Sequence, residues 1–342
     1  MTTIYDIAKA ANSSTASVSR VMNGKAGVKP ETAARIHKAM GDLNFQPRWR
    51  VMEQNRLVVL IPNYKRALES SYIARILSGI TDTAFKMGYN IQLRPFNTKN
   101  CNPKHLRQML IQEAAAGCLI ISLNENYFPS ADIDLTSLPH VIVGHKQKDN
   151  GINQIFIDDF KAGYDATKYL IDIGHQQIGI VSFSQIDIGH KARCNGFRKA
   201  LQEAKLDTNE SIELDDASID AGRSAARHLF NLQKHPTALV ITNEDLAIGF
   251  QLEAKTMGIT VPNDISIVTF EESDLPSLLD TPMTAMRTPS YSMGIAATRT
   301  LEEQIENSKK DKQAGPIESL SESITIPLVV RKSTQKLKQI KI

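Results

Sequence analysis

The chain of 342 residues holds only three cysteines, Cys101, Cys118 and Cys194. They are odd in number, widely spaced and form no Cys-x-x-Cys pair. That argues against a disulfide framework or a thiolate zinc site and points to a reducing, cytoplasmic setting. No run of about 18 apolar residues is present, so nothing reads as a membrane span. The first residues are polar and lack the apolar core of a signal peptide, which counts against export and against a solute-binding protein of a transport system. Gly-x-Gly-x-x-Gly, the P-loop pattern, Gly-x-Ser-x-Gly and His-Glu-x-x-His are all missing, which counts against an α/β enzyme. The histidines, His145 and His190 among them, show no metal-ligand spacing, and no metal or cofactor is expected.

What is present is distributed unevenly. The net charge of +3 conceals an N-terminal excess: residues 1–56 hold nine Lys or Arg against four Asp or Glu, a balance of +5, and the remainder is slightly acidic. Positive charge concentrated in this way favours a polyanionic partner.

The same region carries the most constrained pattern. Thr3 and Asp6 have capping-box spacing, and Ile4, Ile7, Ala8 and Ala11 follow at i, i+3, i+4 and i+7, which predicts a short helix with one apolar stripe. After Asn12-Ser13-Ser14, with Ser14 as N-cap, Val18, Val21 and Met22 form the buried stripe of a second helix. Its other face carries Thr15, Ala16, Ser19, Arg20 and Asn23, small or hydrogen-bonding side chains that let the backbone come close to a partner. A helix-turn-helix sets such a helix in the DNA major groove with its N-terminal residues at base edges. Arg20 is suited there to a bidentate contact with guanine or to a phosphate. A third helix is expected from Pro30 through Ile36, Ala39, Met40 and Leu43, ending by Pro47.

Beyond a linker over residues 48–57, short apolar runs alternate with helical segments. Strands are predicted at 57–61, 89–93, 117–121 and 140–143, then at 178–183, 238–241 and 265–270. Helices are predicted near 71–88, 103–116, 160–173, 191–204, 221–232 and 245–257. Continuous apolar strands separated by helices indicate parallel sheets covered on both faces, here as two doubly wound α/β lobes. Residues 307–323 read as a polar surface loop and 335–342 as a mobile basic tail without apolar heptads.

In detail, Thr3-Ile4-Tyr5-Asp6-Ile7-Ala8, Ser17-Val18-Ser19-Arg20-Val21-Met22-Asn23-Gly24, Val28-x-Pro30-Glu31-Thr32 and Leu43-Asn44-Phe45-Gln46-Pro47 resemble the DNA-binding domain of the LacI family of bacterial transcription regulators. Asp158 to Gly163, Gly174-His175, Arg193-x-x-Gly196-Phe197, Asn243-x-x-x-Ala247-x-Gly249, Val261-Pro262 and Leu328 to Thr334 resemble that family's sensor domain, which is similar to periplasmic sugar-binding proteins. The resemblance covers nearly the whole chain. It implies a helix-turn-helix domain at 1–47, a hinge at 48–57, a two-lobed sensing and dimerisation domain at 58–334 and a tail at 335–342. The chain is expected to cross between lobes near Asp158, near Thr288 and near 319–324.

The resemblance further implies a homodimer on double-stranded operator DNA, acting as a repressor of carbohydrate-utilisation genes or, alternatively, as an activator. DNA contacts are expected from Thr3, Tyr5, Ser14, Thr15, Ala16, Ser19, Arg20 and Asn23, with Arg48 and Arg50 in the hinge. Effector contacts fall on Tyr72, Ile73, Asp158, Arg193, Asn243 and Glu271, with Lys191 and Glu244 beside them. The chain departs from the family where Glu244, Glu271 and Gly144 replace the usual Asp. The hinge keeps only Pro47 of its pattern, with Gln54 at the wedge position, so little DNA bending is expected. Asp158, Glu244 and Glu271 set against Arg193 and Lys191 make the cleft non-positive, which favours a neutral polyhydroxylated effector over a phosphorylated one. For Arg193 the alternative role is a structural ion pair with Glu271, and for His175 a structural hydrogen-bonding role is expected.

Overall fold

The computed structural model describes residues 3–22, 27–43, 55–62, 67–96, 110, 113, 115–122, 139–146, 153–183, 188–207, 210–310 and 320–337. The head consists of α1 (Ile4–Ala10), α2 (Thr15–Met22) and α3 (Pro30–Asp42). Ile7, Ala8, Ala11, Val18, Ile36 and Ala39 are buried together, and Met40 and Leu43 pack at the margin of that small core. The capping box forms as the spacing requires: the Thr3 amide donates to Asp6 Oδ2 at 2.7 Å, and the Asp6 amide donates to Thr3 Oγ1 at 3.4 Å. Ser14 starts α2 by accepting the Ser17 amide at 3.1 Å. Pro30 opens α3, where its missing N–H costs nothing.

The remainder forms two six-stranded sheets. Sheet one, in the order β11-β5-β4-β3-β1-β2, is parallel throughout: β1 (Arg56–Pro62), β2 (Asn90–Phe96), β3 (Gly117–Ser122), β4 (His140–His145), β5 (Gln154–Ile157) and β11 (Ser321–Ile324). Sheet two runs β12-β10-β9-β8-β6-β7: β6 (Ile178–Phe183), β7 (Ser211–Leu214), β8 (Ala238–Ile241), β9 (Ser266–Glu271), β10 (Thr284–Arg287) and β12 (Leu328–Val329), of which β12 alone is antiparallel to its neighbour. The helices are α4 (Ser71–Lys86), α5 (Asp159–Asp172), α6 (Ile188–Glu203), α7 (Ile219–Phe230), α8 (Glu244–Thr256), the short α9 (Leu275–Leu278) and α10 (Ser290–Lys310). The chain leaves sheet one after Ile157, returns between Arg287 and Ser290 as α10 packs on α4 and β4, and crosses again between Ile324 and Leu328.

Three helix pairs touch through reciprocal glycines. A Cβ on Gly163 of α5 would lie 2.1 Å from the Arg193 carbonyl oxygen, and one on Gly196 of α6 would lie 2.0 Å from that of Phe160. Gly79 with Gly294 locks α4 to α10 in the same manner, and Gly222 with Gly249 locks α7 to α8. Backbones this close leave no room for a methyl group, so these glycines fix helix positions. The α5–α6 pair seats Arg193.

Several expectations need correction. Arg56 belongs to β1 rather than the linker, and Leu57 lies in that strand as its apolar run predicts. The polar stretch expected as a loop contains the end of α10, through Lys310, and strand β11. The first residues of the expected mobile tail are docked: the Gln335 amide donates to Ser266 Oγ at 3.2 Å, and the Leu337 amide to the Ile173 carbonyl at 3.0 Å. His175 holds this junction from beneath, its Nδ1 at 2.9 Å from Thr237 Oγ1 and its Nε2 at 3.1 Å from Ser266 Oγ. The helix expected over 103–116 and the hinge around Arg48 and Arg50 fall mostly or wholly outside the described residues.

Candidate functional site

On the head, Tyr5 is 73% exposed, and Ala16 and Arg20 are also exposed, while Thr15 and Ser19 are half-buried on the same helix. Thr3 and Ser14 are exposed helix caps as well as candidate contacts. Arg20 is exposed and stands outside the small core, and its Nη1 lies 3.6 Å from where a Cβ on Gly27 would be. Asn23, Arg48 and Arg50 lie outside the described residues.

Between the lobes the situation is reversed: of the eight candidates, Tyr72, Ile73, Arg193, Glu244 and Glu271 are buried, Asn243 is half-buried, and only Asp158 and Lys191 are exposed. Arg193 is 3% exposed. Its Nε donates to Asp159 Oδ1 at 2.8 Å, its Nη1 donates to the Thr242 carbonyl at 2.8 Å, and its Nη2 stands 3.6 Å from Glu272 Oε1. The guanidinium also lies over the Phe270 ring, 4.1 Å from the centroid, a cation–π geometry. Its acidic partners are therefore Asp159 and Glu272, not Glu271. Asp158 is exposed and caps α5 by accepting the Lys161 amide at 2.8 Å. Glu271 is taken by Arg331, whose two Nη atoms donate to its carboxylate at 2.8 and 2.9 Å, and Arg287 Nε approaches to 3.3 Å.

Sequence reading missed the residues that join the lobes. His145, at the end of β4 in lobe one, donates from Nδ1 to Asp159 Oδ2 at 2.6 Å and stacks on Tyr72, with ring centroids 5.5 Å apart. Gly144, just before it, has φ +144°, a conformation that disfavours the Asp usual at that position. On the other lobe, Glu272 accepts hydrogen bonds from Thr288 Oγ1 at 3.0 Å and Ser290 Oγ at 2.9 Å, where the chain returns to lobe one. Burial alone would raise the Asp159 carboxyl, but the charges of His145 and Arg193 hold it well below the usual range. Burial pushes the Glu272 carboxyl up, and the neighbouring Glu244 charge adds to the rise against the pull of Arg193.

The other candidates take varied roles. Asn243 caps α8, its side-chain oxygen accepting the Asp245 amide at 2.8 Å. Glu244 is 2% exposed, and its Oε2 accepts from the Glu272 amide at 2.9 Å, the Ser273 amide at 2.8 Å and the Ser273 hydroxyl at 3.1 Å. Tyr72 is buried against His145, Ile73 is a core residue of lobe one, and Lys191 is exposed on the first turn of α6. Two hints in the sequence pointed this way: each of the acids that bond Arg193 is the second of an adjacent pair, Asp158-Asp159 and Glu271-Glu272.

A helix-turn-helix head carried on a two-lobed sensor whose buried polar side chains meet between the lobes defines a ligand-responsive, DNA-binding transcription regulator. The family described as bacterial regulatory proteins, lacI family, matches residues 3–48, and a periplasmic binding protein-like domain matches residues 167–334. Catabolite control protein A of Priestia megaterium is 29% identical over 306 residues, spanning 87% of this chain and 91% of that protein. The HTH-type transcriptional repressor PurR of Actinobacillus pleuropneumoniae serotype 3 is 28% identical over 98% of this chain and 99% of its own length. The solved complex of the transcriptional regulator CelR with cellobiose superposes with a TM-score of 0.67 at 22% identity, over 97% of this chain and 100% of that one, which shows a shared fold. The chain thus carries the DNA-binding domain of the lacI family of bacterial regulatory proteins followed by a periplasmic binding protein-like domain, and the relatives it resembles along nearly their whole length are transcription regulators. Among the described residues no helix is long and apolar enough to cross a membrane.

Proposed function

We propose that the protein is a non-enzymatic, cytoplasmic repressor that binds an operator as a homodimer and changes its affinity when a small, neutral, polyhydroxylated effector enters between the sensor lobes. The observation that carries this reading is the meeting of Arg193, Asp159 and His145 across the lobe junction, because a ligand competing for these groups must alter how the lobes sit together. Cellobiose in the CelR complex and the name of the PurR relative support the sugar and the repressor role respectively. The acid-rich surroundings of Arg193 disfavour a phosphorylated effector. Exposed Leu275 and Leu278 of α9, with Leu252 on α8, offer apolar ground for a second copy to cover.

In this reading Tyr5, Thr15, Ala16, Ser19 and Arg20 face the operator, and hinge arginines Arg48 and Arg50 follow its phosphates with little bending. Replacing Arg20 by Ala should weaken binding of a palindromic operator by ~1–3 kcal/mol, the worth of a bidentate base contact. Wild-type binding should fall steeply as salt rises. Mobility-shift titration in which the variant keeps full affinity, with no salt dependence in either protein, would sink the proposal.

A further inference from the structure

We propose that the effector of this site carries a protonated amine as well as hydroxyl groups, placing it in the amino-sugar class, and that Glu244 recognises the amine. The inference rests on the reading of the lobe junction as the effector site and narrows the ligand from any polyhydroxylated molecule to a cationic one.

The lobe junction carries an excess of acidic side chains. Glu244 and Glu272 are buried just past strands β8 and β9 of sheet two, Asp159 is buried just past strand β5 of sheet one, and among the described residues Arg193 is the one buried guanidinium paired with any of them, namely Asp159 and Glu272. The charge of His145 beside Asp159 is the second cation, which leaves three carboxylates facing two positive groups. The neighbouring acid Glu271 contributes nothing to the imbalance, because Arg331 and Arg287 neutralise it. Carboxylates taken out of water without a counter-charge are costly, and the cost is relieved by a proton or by a cation.

Glu244 makes the need specific. Its Oε2 is saturated by three donors from residues 272 and 273, whereas its Oε1 is buried and has no hydrogen-bond partner. The two oxygens of one carboxylate are thus treated unequally, and the side chain cannot turn away without giving up three bonds. Glu272, whose own amide is one of those donors, has its carboxyl held up by burial and by the Glu244 charge, and burial and the same charge raise the neighbouring Asp245. A ligand hydroxyl would supply a donor to Oε1 but would leave the charge excess in place. An ammonium supplies both, with three donors on a compact cation that can span neighbouring carboxylates. A metal ion does not fit, since among the described residues no three His, Cys, Asp or Glu side chains converge to hold one. Arg193 remains the partner for ligand hydroxyls, its planar fork suiting adjacent oxygens.

The test is calorimetric titration of the intact protein with matched sugars at equal ionic strength and at a pH that keeps the amine protonated. Each series contains a hexose, its 2-amino derivative and its N-acetylated derivative, in the gluco, galacto and manno configurations. In at least one series the amino sugar should bind on the order of tenfold or more tighter than both neutral members, as expected for a charge-assisted hydrogen bond. Glu244→Gln, checked for folding by circular dichroism, should bring that series level. Equal or tighter binding of the neutral members overturns the proposal, as does an amine preference that survives Glu244→Gln, or a panel in which no amino sugar binds. Should the variant fail to fold, the comparison of amine with N-acetyl in the unaltered protein decides. Operator release by neutral saccharides tests the broader effector reading separately, so the two can fail independently.

Discussion

The head and the lobe junction solve opposite problems. In the head, six small or medium apolar side chains make the core, and the groups offered to DNA stand outside it. At the junction the groups offered to a ligand are themselves the packing: Arg193, Asp159, Glu272 and His145 are each less than one tenth exposed and bonded to one another across two sheets. A surface that reads a polyanion can be altered with little cost to folding. A buried polar network cannot, because each member is the counter-charge of another.

This contrast is sharpest at Arg193. Truncation to Ala leaves Asp159 and Glu272 buried without their cation, and sensor stability should fall by about 3–5 kcal/mol. Loss of effector response would accompany that fall. Chemical denaturation monitored on the sensor lobes checks it, and a loss below about 1 kcal/mol would place Arg193 with the tolerant head residues.

Gly189 gives a smaller but cleaner break. A Cβ there would lie 2.2 Å from the His145 ring, which is fixed by Asp159 and by stacking on Tyr72 and so cannot yield cheaply. Gly189→Ala should cost ~1–3 kcal/mol through overpacking, and it should hold lobe two away from His145. Small-angle scattering should then show a more open sensor, and an unchanged profile would mean that the lobes do not depend on this approach. The least effect is expected in the head, where Thr3→Ala removes an exposed capping box. That change should lower the melting of the head by ~0.5–2 kcal/mol and leave the sensor transition where it was. A shift of both transitions in calorimetry would show that the two regions are not energetically separate.

The same contrast explains what could be read from residues alone. The head was legible because its rules are local: Thr3 to Asp6, Ser14 to Ser17 and Pro30 act within one turn of chain. The continuous apolar strands were legible too, since runs such as Leu57 to Ile61 need a sheet covered on both faces. Strands β7 (Ser-Ile-Glu-Leu), β10 (Thr-Ala-Met-Arg) and β11 (Ser-Glu-Ser-Ile) escaped notice because each is short and partly polar, and pairing rather than periodicity makes them strands. At the junction the family pattern led to the right segments but to the neighbouring acids. Glu271 is the last residue of β9, and its pairing register sets it beside Arg287, where Arg331 also reaches it. Glu272 lies one step past the strand and turns to the junction instead. Asp158 is spent as a helix cap, which leaves Asp159 to reach both His145 and Arg193. Only tertiary pairing distinguishes the members of such acid pairs.

The two short strands β11 and β12 have a consequence for how the molecule is made. Residues 321–324 supply an edge of sheet one, and residues 328–329 supply an edge of sheet two. Ribosomal synthesis delivers the head first, as a unit with its own core, and by residue 310 it has delivered every described helix. Both lobes still lack an edge at that moment. A polypeptide halted there would present a finished operator-reading surface on an unfinished sensor, a DNA ligand deaf to any signal. The core of the head is thus complete in the chain order well before the sheets of the sensor are.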